Sequence, residues 1–198
     1  SFGGLSAAVT TFVSGLDKRV LVGESFGALV ALDVAMTNER RVAGAVLLNP
    51  ATAYPRSQMP EMMESAREAD EWEFRLAVLG VLAQHAKPGQ YKLRDLEVLS
   101  AMLINMLLLK KDVLLHRIDS WMDQGCRRVT RARMSRYSKK VVVAAGDLDA
   151  IFPSEQEAEY LRECLRDCDV DIVRGAGHLL HADTFDMAKA VDSVLFGT

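Results

Sequence analysis

The sequence predicts an α/β fold: a parallel sheet of about four strands, interrupted by a helical insertion. Three observations predict it. Short β-branched apolar runs recur, each closed by glycine or by Asn-Pro. Helical patterns lie between and after most of these runs. Between the second and third run, residues 54–130 carry helical patterns and no convincing strand. Strand–helix alternation is the signature of a parallel sheet covered by helices.

The elements follow in order. The 22 residues before Gly23 suffice for one helix and one strand. Arg19–Val22, ending at Gly23, reads as a strand buried on both faces. Residues 26–37 place small and apolar side chains at helical spacing. Val42–Leu48 is a second buried strand, closed by Asn49-Pro50. Helical tracts follow over Glu61–Leu82, Leu93–Leu109 and Asp112–Met122, and the insertion reads as a cap over a core made of 1–53 and 131–198. Lys140–Ala145 is the third strand, closed by Gly146. Ser154–Asp167 is a helix with Ser154 as N-cap. Val170–Val173 is a shorter fourth strand before Gly175-Ala176-Gly177, and Asp183–Leu195 is the last helix.

Composition narrows the function classes. Hydrophobic residues make up 49% of the 198 and charged residues 26%, enough apolar surface for a folded core. A net charge of −3 argues against nucleic acid as a partner. The three cysteines form no C-x-x-C pair, and Cys164 and Cys168 share one face if helical, so a zinc site or disulfide scaffold is not expected and a reducing, intracellular compartment fits. The most apolar stretch, Leu99–Leu109, is about half of the roughly 20 residues needed to cross a bilayer.

Gly23-Glu24-Ser25-Phe26-Gly27 carries the strongest chemical signal. It fits G-x-S-x-G between a predicted strand and a predicted helix, the context of a nucleophile elbow. Glycines before and after the serine are expected where a side chain would strike neighbouring backbone. The helix start places partial positive charge beside Ser25, and the backbone N–H of Phe26 is a candidate oxyanion donor. A serine nucleophile needs a base, and the base an orienting carboxylate, in chain order Ser, acid, His. Asp147 and Asp149 both follow the third strand. Asp149 is preferred because Gly146, Asp149 and Pro153 fit a G-x-x-D-x-x-x-P loop, while Asp147 reads as a turn former capping local N–H groups. Of the histidines, His178 and His181 follow the last strand; His178, directly after Gly177, fits the base better. His85 and His116 fall in the insertion and read as solvated helix faces.

These features resemble the α/β-hydrolase superfamily. More narrowly, Leu21-Val22-Gly23-Glu24-Ser25-Phe26-Gly27, Leu48-Asn49-Pro50-Ala51-Thr52, Arg56-Ser57-Gln58 and Phe152-Pro153-Ser154-Glu155-Gln156-Glu157-Ala158 resemble the plant and algal esterase/lipase/thioesterase group that includes plastid phytyl ester synthases and diacylglycerol-acyltransferase-like proteins. The resemblance implies the C-terminal half of an α/β-hydrolase sheet, with the strands that normally precede the elbow absent, and a chloroplast location. It implies a serine hydrolase or acyltransferase on an acyl-lipid or other ester, with no cofactor and no metal. The rival expectation is a non-catalytic partial domain that needs a partner or a missing N-terminal half. Met102, Leu103, Met106, Leu107, Leu108 and Leu109 either shelter an acyl chain or are ordinary cap core. The run Arg127, Arg128, Arg131, Arg133, Arg136, Lys139 and Lys140 either meets anionic lipid headgroups, as a peripheral membrane contact, or is a solvated basic face.

Overall fold

Four strands run parallel in the order β1-β2-β3-β4: β1 (Arg19–Glu24), β2 (Val42–Leu48), β3 (Lys140–Gly146) and β4 (Cys168–Val173). The structure, a computed structural model, describes residues 1–16, 18–52, 64–77, 100, 104, 108, 110–149, 151–180 and 185–197. The helices are α1 (Phe2–Ser14), α2 (Phe26–Thr37), α3 (Lys111–Ser120), α4 (Arg131–Met134), α5 (Ser154–Cys164) and α6 (Met187–Phe196). The chain has the expected α/β architecture, a partial parallel sheet with helices between its strands. Among the described residues between β2 and β3 there is no strand.

The two central strands explain the unbroken apolar runs. Ala45, Leu47, Val141, Val143 and Ala145 face a core shared with α1, α2, α3 and α5. Their neighbours Val46, Leu48, Val142 and Ala144 face the other way, onto Ala190 and Val194 of α6. Both faces of β2 and β3 are therefore dry, and every position is apolar or glycine except Lys140 at the start of β3. The outer strands differ. In β4, Asp169 and Asp171 alternate outward. The expectation that β1 is buried on both faces is corrected: among the described residues it pairs only with β2, and Val22 is 46% exposed.

Other boundaries also shift. Helix α5 stops at Cys164 because Leu165 turns to extended backbone, so Cys168 opens β4 instead of sharing a helix face with Cys164. Pro153, not Ser154, occupies the N-cap of α5. Helix α6 starts at Met187, where the Asp186 side chain accepts the Lys189 N–H at 3.0 Å. The tract read as Glu61–Leu82 is helical over 64–68 and 71–77, with a break at Asp70. There Asp70 accepts the N–H groups of Trp72 and Glu73, and Glu73 accepts that of Asp70, a reciprocal capping arrangement that starts a new helix. Helix α3 does not end at Met122 but runs on through a π-helical turn, Trp121–Gly125, to Arg128. The Leu93–Leu109 tract lies outside the described residues except at 100, 104 and 108; Ile104 and Leu108 are exposed.

The basic run is largely engaged in ion pairs. Arg128 and Arg133 converge on the buried Asp33 of α2 at 2.8 and 2.7 Å, Arg127 meets Asp123, and Lys140 meets Asp169. Asp33 also accepts the Ser6 hydroxyl at 2.6 Å, so one carboxylate joins α1, α2 and α4. Among the described residues no helix is long and apolar enough to cross a membrane.

Candidate active site

The carboxyl ends of all four strands meet at one edge of the sheet. Glu24 pairs in register with Leu48, Leu48 with Ala144, and Gly146 with Val173. Ser25, the Asp149 loop and the His178 loop all leave from that edge, where parallel sheets place their ligand sites.

Ser25 is the single residue between β1 and α2. Its backbone sits at φ 55°, ψ −121°, a conformation that L-residues rarely adopt and that stores strain at functional turns. The Ser25 N–H donates to Leu48 O at 2.9 Å, which pins the turn to β2. Serine at a helix start ordinarily caps the first turn. Here the hydroxyl makes no capping bond, so Oγ is not consumed by the helix. Phe26 begins α2, and its N–H has no acceptor within the helix. Of the two elbow glycines, Gly23 is sterically required: a Cβ there would lie 2.3 Å from Gly27 O. The expected collision at Gly27 is not found, since a Cβ there meets nothing within 4 Å among the described residues. The crowding is one-sided because the first turn of α2 folds back over Gly23.

Asp149 and His178 come together. His178 Nδ1 lies 2.8 Å from Asp149 Oδ2, with both side chains buried. Asp149 also accepts the N–H groups of Ile151 at 2.8 Å and Phe152 at 3.2 Å, and the Ser154 hydroxyl. Burial pushes the Asp149 carboxyl up, but the His178 hydrogen bond and charge, Ser154 and Ile151 outweigh it and hold the group below the ordinary carboxylate range. An ionised Asp149 requires the proton on Nδ1, which leaves Nε2 of His178 as the basic nitrogen.

Asp147 stays outside this pair. Its carboxylate accepts the Gly175 N–H at 2.7 Å, capping the loop of the neighbouring strand and not its own turn. A Cβ on Gly146 would lie 2.5 Å from both Ala176 O and Gly177 O, so only glycine lets the two loops approach. His116 is exposed on α3; His85 and His181 lie outside the described residues.

Three residues gave no chemical signal in the sequence. Ser154 is spaced like a helix cap, yet its hydroxyl serves Asp149. Trp121 and Phe152 bring two distant segments against the site. Phe26, Trp121 and Phe152 pack edge to face at 6.2 and 5.5 Å, and Phe152 lies 5.3 Å from the His178 ring. An aromatic wall thus runs from the candidate oxyanion donor to the candidate base. It is anchored by Trp121 Nε1 donating to Ala51 O at 3.3 Å. No local pattern predicts it, because its members are about 30 or more residues apart. Among the described residues no cluster of three or more His, Cys, Asp or Glu side chains is arranged to hold a metal ion.

The chain is similar to known proteins to different extents. The family model described as "Serine aminopeptidase, S33" matches residues 5–184. The chain is 26% identical to phytyl ester synthase 1, chloroplastic, of Arabidopsis thaliana over 181 residues, covering 81% of this chain and spanning 25% of that protein. A hydrolase from Pseudomonas aeruginosa PA01 superposes with a TM-score of 0.71 at 20% identity, over 99% of this chain and 72% of its own. A hydrolase from Oleispira antarctica gives 0.70 at 14%, over 100% and 71%. The 2-hydroxy-6-oxo-6-phenylhexa-2,4-dienoate hydrolase of Rhodococcus sp. strain RHA1 gives 0.63 at 16%, over 93% and 66%. These structural likenesses establish a shared α/β-hydrolase fold.

Proposed function

The chain belongs to the serine aminopeptidase S33 family of hydrolases, and we propose that it acts as a serine esterase or acyltransferase on a lipid-like ester. The observation that carries the reading is the buried Asp149–His178 pair on the same sheet edge as a strained, uncapped Ser25.

In this reading Ser25 Oγ attacks the acyl carbonyl while His178 Nε2 takes its proton. The carbonyl π electrons move to oxygen, and the Phe26 N–H donates to that oxyanion at the positive end of α2. Asp149 holds the imidazole and stabilises its charged form. Collapse of the tetrahedral intermediate breaks the ester C–O bond, and His178 returns the proton to the departing alcohol. An acyl-Ser25 ester remains. Water or a second alcohol then attacks it with His178 again as base, giving hydrolysis or acyl transfer from one intermediate.

The ester chemistry is supported by the curated relative, a phytyl ester synthase. A lipid-like acyl group is supported by that name and by the leucine- and methionine-rich run Leu99–Leu109. The relative's chloroplast designation supports the same location for this chain.

A fluorophosphonate probe tests the nucleophile. Labelling of the full-length protein should vanish in Ser25→Ala and fall by orders of magnitude in His178→Ala; undiminished labelling of Ser25→Ala refutes the assignment. A series of p-nitrophenyl esters tests the substrate class. Rates should rise with acyl length, since each buried methylene contributes about 0.8 kcal/mol. A steady decline beyond acetate would leave a small-ester hydrolase.

A further inference from the structure

We propose that Asn49 is a positioning residue for the triad: its side-chain amide locks the backbone of His178 to the strand end that leads to Asp149. The proposal rests on the serine-hydrolase reading above and adds to it a residue that touches neither substrate nor reacting atoms.

Asn49 follows β2 and is fully buried. Its own N–H donates to Ala144 O at 2.8 Å, which fastens it to β3. The side chain then joins two loops. Oδ1 accepts the Gly146 N–H at 2.8 Å, at the start of the Asp149 loop. Nδ2 donates to Gly177 O at 2.9 Å and to His178 O at 2.8 Å. One acceptor and two donors on a single planar group are what these three backbone atoms require, and only a carboxamide supplies them. Asn49 also sits at φ 40°, a region open to Asn, Asp and Gly but strained for most other residues. Gln would carry the same amide at the wrong distance, on a backbone it resists.

The geometry bears on catalysis because His178 is held at two points. Asp149 grips the imidazole through Nδ1, and Asn49 grips the carbonyl of the same residue. A ring tethered only by Asp149 can swing about that bond, which moves Nε2. With the backbone fixed as well, the direction of Nε2 is set before substrate arrives. Misplacement of a catalytic group by about 1 Å can cost about 10²-fold in rate.

Two variants of the full-length protein test this. Asn49→Asp keeps the backbone preference and the shape but turns an oxygen toward the Gly177 and His178 carbonyls. Asn49→Gly keeps the φ and deletes all three side-chain bonds. Fluorophosphonate labelling and kcat should fall about 10–100-fold in both, with KM within about twofold of wild type. The downfield Nδ1 proton of His178 in the proton NMR spectrum should broaden or disappear. Asn49→Asp carries a further signature. Protonated, its carboxyl regains a donor for one carbonyl, so its labelling rate relative to wild type should rise as pH falls from about 9 to about 6. Labelling within about twofold of wild type in both variants, or a flat ratio with kcat and KM worsening together as thermal stability falls, would overturn the positioning role. If wild type itself fails to label, the serine-hydrolase reading has failed instead. The NMR comparison then still decides whether Asn49 holds the histidine.

Discussion

Ser154 and His178 share one oxygen of Asp149: the Ser154 hydroxyl and His178 Nδ1 both meet Oδ2. The serine draws electron density from the atom that, in the proposed mechanism, stabilises the imidazolium. Ser154→Ala should make Asp149 more basic, because the lost bond is one of those that lower its pKa. Asp149 would then take up its own proton at higher pH and release His178 Nδ1 sooner on acidification. The acid limb of the kcat/KM profile is expected to move to higher pH, with about 0.5–1.5 kcal/mol of stability lost. An unshifted limb would mean that Ser154 only packs.

The two elbow glycines should respond differently. Gly23→Ala drives a Cβ into backbone at 2.3 Å, where no side chain can give way. It should cost about 1–3 kcal/mol and abolish probe labelling. Gly27→Ala meets nothing within 4 Å among the described residues and should stabilise α2 by about 0.5–1 kcal/mol, read as a raised Tm.

Acid should weaken the contact between α2 and α4 through Asp33. Burial pushes its pKa up, but Ser6, Arg133 and Arg128 prevail and lower it from 3.8. A lowered native pKa contributes stability at and above the ordinary carboxylate range, and that contribution is lost as pH falls through the native value. Asp33→Asn should cost about 2–3 kcal/mol near neutrality, limited by the partial exposure of both arginines. In urea titrations the gap between wild type and variant should close as pH drops below 3.8. A gap that stays constant would show that the charge of Asp33 contributes nothing.

Strand β1 leaves one side without a strand neighbour among the described residues, and Val22 beside it is 46% exposed. Such an edge is a template for strand pairing between chains. The 198-residue chain expressed alone should self-associate, as seen by light scattering, and Val22→Lys should reduce that association. A monomer at all concentrations would show that the edge is protected.

The four strands, the strand-to-helix turn at Ser25 and the order of the candidate triad can be read from the residues in chain order. Val42–Leu48 was legible to the residue, because a strand buried on both faces needs an unbroken apolar run. Ser25 was legible because a strand-to-helix turn this tight needs glycine at Gly23, a requirement written within three residues. Tertiary structure alone decided the rest. The half-exposed β1 reads like a central strand, because apolar residues do not record which neighbours are present. Ser154 looks like a cap, since the acceptor it chooses over its own helix is set by the fold of the Asp149 loop. Nothing local in the sequence tells which contacts Trp121, Phe152 and Asn49 make. Their partners lie far along the chain, and a hydrogen bond such as Asn49 to His178 is specified only when separate strands end at the same edge of one sheet.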